Sequence, residues 1–368
     1  MNTQAKQRKL IIKLNQYSLK KTFYTIILVC LALCAMKAQD IHYSQFYNAP
    51  FNINPALTGV YRGDVRFMGN LRNQWGAVPV DYFSFTAAAD MKFYPRGDKN
   101  GLFAGGLHFN YDQAGFSKLS LAQLGLSGSY IHRLSNYAFL SLGAQISGNQ
   151  RGFKIDDLTF DNNFDPGRGV YDPARPSNEN FSNTNNFYFD FGAGINLRFQ
   201  SLHSGELVDR LEKRNKIDVG VAFYHLNRPD QSFFEDTKSK LFMRVSPYVS
   251  GTAKVSSNLD LVGNLTGQFQ GPYAEILGML GLKIHMDRTP GKQFALQPGL
   301  GYRFDDFGDA YFPGIELFYN NWQAGFSYDV NVSEFKVATN RRGGPEFSIR
   351  YIISKPKPLP QFKICPLI

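Results

Sequence analysis

The stretch FYFDFGAGINLRFQ, Phe187 to Gln200, decides the fold. In an extended chain Phe187, Phe189, Phe191, Ala193, Ile195, Leu197 and Phe199 point to one side, while Tyr188, Asp190, Gly192, Gly194, Asn196, Arg198 and Gln200 point to the other. A helix would scatter both sets, so the segment reads as a β-strand. One face suits hydrocarbon; the other holds glycine, amide and charge. A soluble sandwich or propeller would instead turn polar residues outward, so the pattern indicates a strand of an outer-membrane barrel.

The same two-residue period returns along the chain. Phe83, Phe85, Ala87, Ala89, Met91 and Phe93 oppose Ser84, Thr86, Ala88, Asp90 and Lys92. Further alternation runs from Phe103 to Tyr111, Ile217 to Phe223, Leu259 to Phe269, Phe294 to Phe304, Trp322 to Val332 and Phe347 to Ile353, and less regular segments lie near Val65, Leu124, Leu140, Val245, Ile276 and Ile315. The expected fold is all-β: a transmembrane outer-membrane β-barrel of about 14 antiparallel strands, an even number as bacterial barrels have. Composition agrees, since 33 Phe, 20 Tyr and 34 Gly among 368 residues favour strands and turns over a helical bundle. On this reading Phe189, Phe191, Ile195 and Leu197 meet lipid; an arginine at Ile195 is expected to be costly and one at Asn196 mild.

The formal charge of +10 is concentrated at one end. Residues 1–38 carry Lys6, Arg8, Lys9, Lys13, Lys20, Lys21 and Lys37 and no acidic residue, leaving 33 basic against 30 acidic residues, or +3, from Gln39 onward. That remainder lacks the electrostatic footprint of a nucleic-acid partner. The basic start, the uncharged run Thr22 to Met36, and Ala35 and Ala38 describe a secretory signal over 1–38, and the run is shorter than a spanning helix needs. Cys30 and Cys34 would leave with it, so only Cys365 remains and no internal disulfide is expected. LALC has bulky Leu33 where a lipoprotein box needs a small residue, and the terminal CPLI fits prenylation only in a chain that is not exported.

The remaining organisation is an N-terminal periplasmic or plug segment over 39–60, the barrel over 61–354 and a tail over 355–368. If the chain enters from the periplasm, short turns belong to the even connections. Leu134 to Asn136, Ser256 to Asn258 and Asn320 to Asn321 obey this, while Gly148 to Asn186, Asn227 to Lys240 and Asn331 to Glu346 are long odd connections. The even connection Ser201 to Asn215 is long, and Leu207, Val208 and Leu211 at helical spacing there predict either a short periplasmic helix or a solvated loop.

Three stretches carry a family resemblance: HYSQFYNAP (His42 to Pro50), INPALTG (Ile53 to Gly59) and RNQW (Arg72 to Trp75), joined by GGPEFSIRYII (Gly343 to Ile353). With them the chain resembles the PorP/SprF family, outer-membrane components of the type IX secretion system of Bacteroidetes. The tail KPKPLPQFKICPLI departs from that pattern. The resemblance implies a non-enzymatic outer-membrane component with three kinds of partner: outer-membrane lipids, periplasmic lipoprotein ring components of the machinery, and a secreted adhesin or other cargo protein, which gliding relatives export or retain. A stand-alone porin or small-solute transporter is the alternative, since fourteen strands lie between filled barrels and wide porins.

The N-terminal words have a physical reading of their own. Pro50 and Pro55 forbid a continuous helix or central strand, and Asn48, Asn52 and Asn54 can bond the local backbone. The segment is thus compact, aromatic and irregular. It either fills the barrel as a plug, closes its rim, or docks a periplasmic partner; for docking, Phe46, Tyr47 and Phe51 are the expected anchors, together with Leu207 and Leu211. The N-terminal stretch, the 201–215 connection and the tail are expected to converge on the periplasmic side.

Little points to chemistry. The six histidines are scattered without metal spacing, and no cofactor or enzymatic activity is expected. Asp161, Asn163, Asp165 and Asp172 mimic four positions of a calcium loop, but Pro166 stands where glycine is required, so a solvated acidic loop is expected.

Overall fold

The computed structural model describes residues 40–74, 82–93, 100–115, 117–155, 158–172, 174–176, 183–202, 212–233, 238–305, 310–333 and 340–354. The chain divides into two units, Met1–Asp40 and Ile41–Ile368, and of the first only Asp40 is among the described residues. The expected signal, the tail 355–368, and Leu207 and Leu211 lie outside them.

The second unit is a closed antiparallel barrel. Its strands are β1 (Val65–Gln74), β2 (Tyr82–Phe93), β3 (Gly101–Ala114), β4 (Leu119–Arg133), β5 (Ala138–Gly152), β8 (Asn185–Gln200), β9 (Lys216–Tyr224), β10 (Arg244–Lys254), β11 (Leu259–Gln270), β12 (Tyr273–Asp287), β13 (Phe294–Asp305), β14 (Ala310–Tyr319), β15 (Trp322–Asn331) and β16 (Arg342–Ile353). Neighbours in sequence are neighbours in the wall, and β1 closes on β16. Closure satisfies every strand edge, which a bilayer demands. All fourteen strands fall where alternation placed them. A small ladder, β6 (Phe164–Asp165) with β7 (Val170–Tyr171), lies in the connection after β5.

Alternation sets the facing. Phe189 is 56% exposed while its inward neighbour Asp190 is buried, and the outer wall carries aromatic pairs such as Trp322 with Tyr351, ring centroids 4.4 Å apart. Such rings suit a membrane interface. β1 begins and β16 finishes at one end, called here the terminal end, which in outer-membrane barrels faces the periplasm. The turns 134–137, 255–258 and 320–321 are at this end, and the longest connections, 153–184 and 225–243, leave from the opposite, loop end. Two loop-end connections, 115–118 and 271–272, are as tight as the terminal-end turns.

One facing expectation fails in its consequence. Asn196 points inward as predicted but is 0% exposed; its side-chain amide donates to Asp218 Oδ1 at 3.2 Å and its oxygen accepts from the Tyr248 hydroxyl at 2.7 Å. An arginine there would not be mild, because the lumen at this height is packed rather than watery.

Candidate functional site: a plugged lumen

What fills the lumen is the stretch of chain just before the first strand. Residues 41–61 run inside the barrel as three short turns, Phe46–Asn48 (3-10), Pro50–Ile53 (α) and Pro55–Leu57 (3-10). Pro50 and Pro55 open the second and third turns, where a missing N–H costs nothing. The segment does not gather at the terminal rim, as the sequence suggested. It begins in the loop half of the lumen and descends to β1, because its polar atoms find partners on the inner wall all the way down.

The upper anchor is a carboxylate clamp. Glu346 on β16 accepts the consecutive backbone N–H groups of Ser44 (2.7 Å) and Gln45 (2.8 Å). Ser44 Oγ donates to Asp329 Oδ1 at 2.6 Å and accepts from Arg303 at 2.6 Å, while Arg72 donates to the His42 carbonyl at 2.8 Å and to Asp329 Oδ2 at 2.5 Å. Arg303 also meets Glu275 at 3.0 Å. Charges this deep persist only when paired and hydrogen-bonded. Arg72 lies opposite Glu346 in the β1–β16 register, so Arg72 to Gln74 and the GGPEF stretch meet in space and together hold Ser44 and Gln45.

INPALTG makes the lower contacts. Asn54 caps the third turn by accepting the Ala56 N–H at 2.8 Å, and its amide donates to the Ile195 and Val221 carbonyls at 3.0 and 3.2 Å. Thr58 and Ser127 share a 2.7 Å hydrogen bond, and the Gly59 N–H donates to Asp90 at 2.8 Å. The approach depends on two wall glycines. A Cβ at Gly194 would fall 2.0 Å from Asn54 Oδ1, and one at Gly143 would fall 2.3 Å from the Ala56 nitrogen. Gly194, on the strand that decided the fold, therefore serves plug contact rather than strand flexibility.

The aromatics complete the plug. Phe51 is 1% and Phe46 4% exposed, Tyr47 is half-buried, and Phe46 and Ile53 pack with Tyr248, Leu277, Met279 and Phe312 of the wall. Burial, with Glu346 nearby, pushes the Tyr43 hydroxyl up, and burial with Glu316 and Glu346 does the same to Tyr47, so both remain neutral. Phe46, Tyr47 and Phe51, expected as docking anchors, thus face the barrel's interior.

Below Phe46, Tyr47 and Asn48 the lumen opens into a vestibule of about 340 Å³, flanked by the lower plug from Ile53 to Arg62 and walled by β8 to β16. At the rim Glu212, at the end of the 201–215 connection, bonds to Lys254 and Arg288, and these hydrogen bonds hold its carboxyl down at about 2. A larger hollow, about 1040 Å³, lies on the lipid-facing outer wall over Gly251, Gly263 and Gly278. In the acidic loop, Asp165 accepts the Gly167 N–H at 2.8 Å and lies 3.6 Å from Arg175. No group of three metal-ligating side chains occurs among the described residues.

The sequence reading missed the clamp. Its signal was present: Arg72, Glu346 and Asp329 are charged residues on the inward face of apolar-alternating strands, where ionisable groups are expensive and need partners.

Fold and lumen together define a plugged fourteen-strand outer-membrane barrel. Residues 35–351 match the family described as "Type IX secretion system membrane protein PorP/SprF", and the chain belongs to that family, outer-membrane components of the secretion machinery. No curated protein matches the sequence. Among solved structures it is similar to a FadL homologue of Pseudomonas aeruginosa (11% identity, 81% of this chain and 91% of that one, TM-score 0.46). It is also similar to BamA of Haemophilus ducreyi (8%, 79% and 70%, 0.40) and to CdiB of Acinetobacter baumannii (11%, 78% and 60%, 0.40), so it spans 60% of the CdiB chain.

Proposed function

We propose that the barrel is a non-enzymatic part of the secretion machinery that supports export or surface attachment of a partner protein, such as an adhesin, and docks to periplasmic lipoprotein ring components. The observation that carries this reading is the occupied lumen. A porin needs a continuous water path, whereas here residues 41–61 are bonded to wall strands on several sides. The plug argues against the small-solute alternative, and membership in a secretion family argues for protein traffic.

Docking falls to the terminal rim. The 201–215 connection, with Leu207 and Leu211, is the proposed contact, and the bonds of Glu212 to Lys254 and Arg288 tether its end to the barrel. Phe46, Tyr47 and Phe51 meet a partner only if the plug leaves the lumen; in the plugged barrel their role is retention.

Co-purification from detergent-solubilised envelopes tests this. A secretion component brings a periplasmic lipoprotein or a secreted surface protein with it. Recovery of homo-oligomers alone, with solute conductance, would support the porin.

A further inference from the structure

Most lumen arginines in this barrel come with carboxylates. Arg66 meets Asp90 at 2.7 Å, Arg198 meets Asp218 at 2.8 Å, Arg214 meets Asp260 at 2.8 Å, and Arg72 and Arg303 meet Asp329 and Glu275. Inward-facing Lys92 and Arg151 donate instead to the Tyr61 carbonyl and to Gln231, and three further cations stand in the terminal half: Lys216 at the start of β9, Lys283 near the end of β12, and Arg350 near the end of β16. Among the described residues none of them forms an ion pair; Lys283 Nζ instead lies 3.3 Å from the centroid of the Phe318 ring.

All three line the vestibule. Its acidic side chains are already taken: Asp218 and Asp260 by their arginines, and Glu316 by amides of Asn48 (2.7 Å), Gln323 (2.7 Å) and Gln297 (2.5 Å). Lys216 is exposed and Lys283 and Arg350 are half-buried, so water reaches all three; gathering like charges in one hollow is still unfavourable, and an entering anion reverses the sign of that energy.

The geometry selects the kind of anion. The plug roofs the hollow, so it is a dead end reached from the periplasm rather than a path for a permeating solute. The three cations stand on strands that are not neighbours in the wall, so they surround a ligand inserted end-on. A lipid headgroup outside the wall cannot reach them; a flexible chain can. We propose that the vestibule binds an acidic peptide segment reaching in from the periplasm, with its carboxylates held by Lys216, Lys283 and Arg350. This does not rest on the secretion reading: a barrel that purified without partners would still bind the peptide.

The test is fluorescence anisotropy of fluorescein-labelled hexaglutamate with the full chain in neutral detergent at low ionic strength. Saturable binding is expected, weakened about tenfold or more in the Lys283→Gln, Arg350→Gln double variant and unchanged in the exposed rim variant Lys292→Gln. The heat-induced gel shift verifies that each barrel is folded. A second measurement needs no variant: carbodiimide coupling of hexaglutamate to the wild-type chain should give amide adducts at Lys216 or Lys283. Absence of binding, equal binding by the double variant, or adducts only at rim lysines such as Lys254 and Lys292 would overturn the proposal. So would binding of inorganic pyrophosphate through these residues with none of hexaglutamate, which would assign the site to phosphate.

Discussion

The two halves of the lumen treat charge in opposite ways. In the loop half, Arg72, Arg303, Asp329, Glu275 and Glu346 form one buried network, and Ser44 and Gln45 of the plug complete it. In the terminal half, pairs such as Arg198–Asp218 and Arg214–Asp260 coexist with Lys216, Lys283 and Arg350, which have no carboxylate of their own. The difference teaches that the lumen is not uniformly polar filling. One half is finished internally, and the other has binding capacity left over.

The largest expected effect is in the finished half. In the Phe46→Ala, Phe51→Ala double variant, each truncation costs about 3–5 kcal/mol of packing, and no strand ladder is cut. Hydrogen exchange at the backbone amides of residues 41–61 should accelerate strongly while the barrel keeps its heat-induced gel shift. If the barrel itself fails to assemble, the plug is part of the folding nucleus rather than a retained insert.

Asp329→Ala removes the carboxylate shared by Arg72 and Arg303 and should cost about 3–5 kcal/mol, because it leaves buried charge uncompensated. Urea unfolding in lipid vesicles measures it. A loss under 1 kcal/mol would mean that water reaches the clamp, and the contrast between the halves would dissolve.

On the decisive strand, Ile195→Arg should cost about 2–4 kcal/mol by placing charge in hydrocarbon. One residue on, Asn196→Ala should cost about 1–3 kcal/mol by orphaning partners in the lumen. Both faces are thus sensitive, for different reasons, and the same vesicle unfolding assay separates them: only the Ile195 penalty should shrink in a thinner bilayer.

The smallest effect belongs to the vestibule. Arg350→Gln should not destabilise the barrel and should raise its stability slightly, by about 0.5 kcal/mol, since no ion pair is lost and repulsion from Lys216 and Lys283 is relieved. A penalty near that of Asp329→Ala would show that Arg350 is structural.

Alternation made the wall legible in the sequence because a residue in a spanning strand meets either hydrocarbon or lumen, and Phe187 to Gln200 records both choices residue by residue. The aromatic N-terminal words were legible as a compact unit, with plug among the options, but not its placement. Their partners are distant in sequence: Gln45 with Glu346, and Asn54 with Ile195 and Val221. No local period encodes such pairs. The tolerance expected at Asn196 failed for the same reason, since Asp218 and Tyr248 on other strands decide it.

Conductance across a planar bilayer tests most directly whether residues 41–61 seal the lumen. The wild-type barrel should pass almost no current, and a variant lacking residues 41–58 should open a stable pore. Equal conductance of the two, at any level, would contradict the plugged barrel described here.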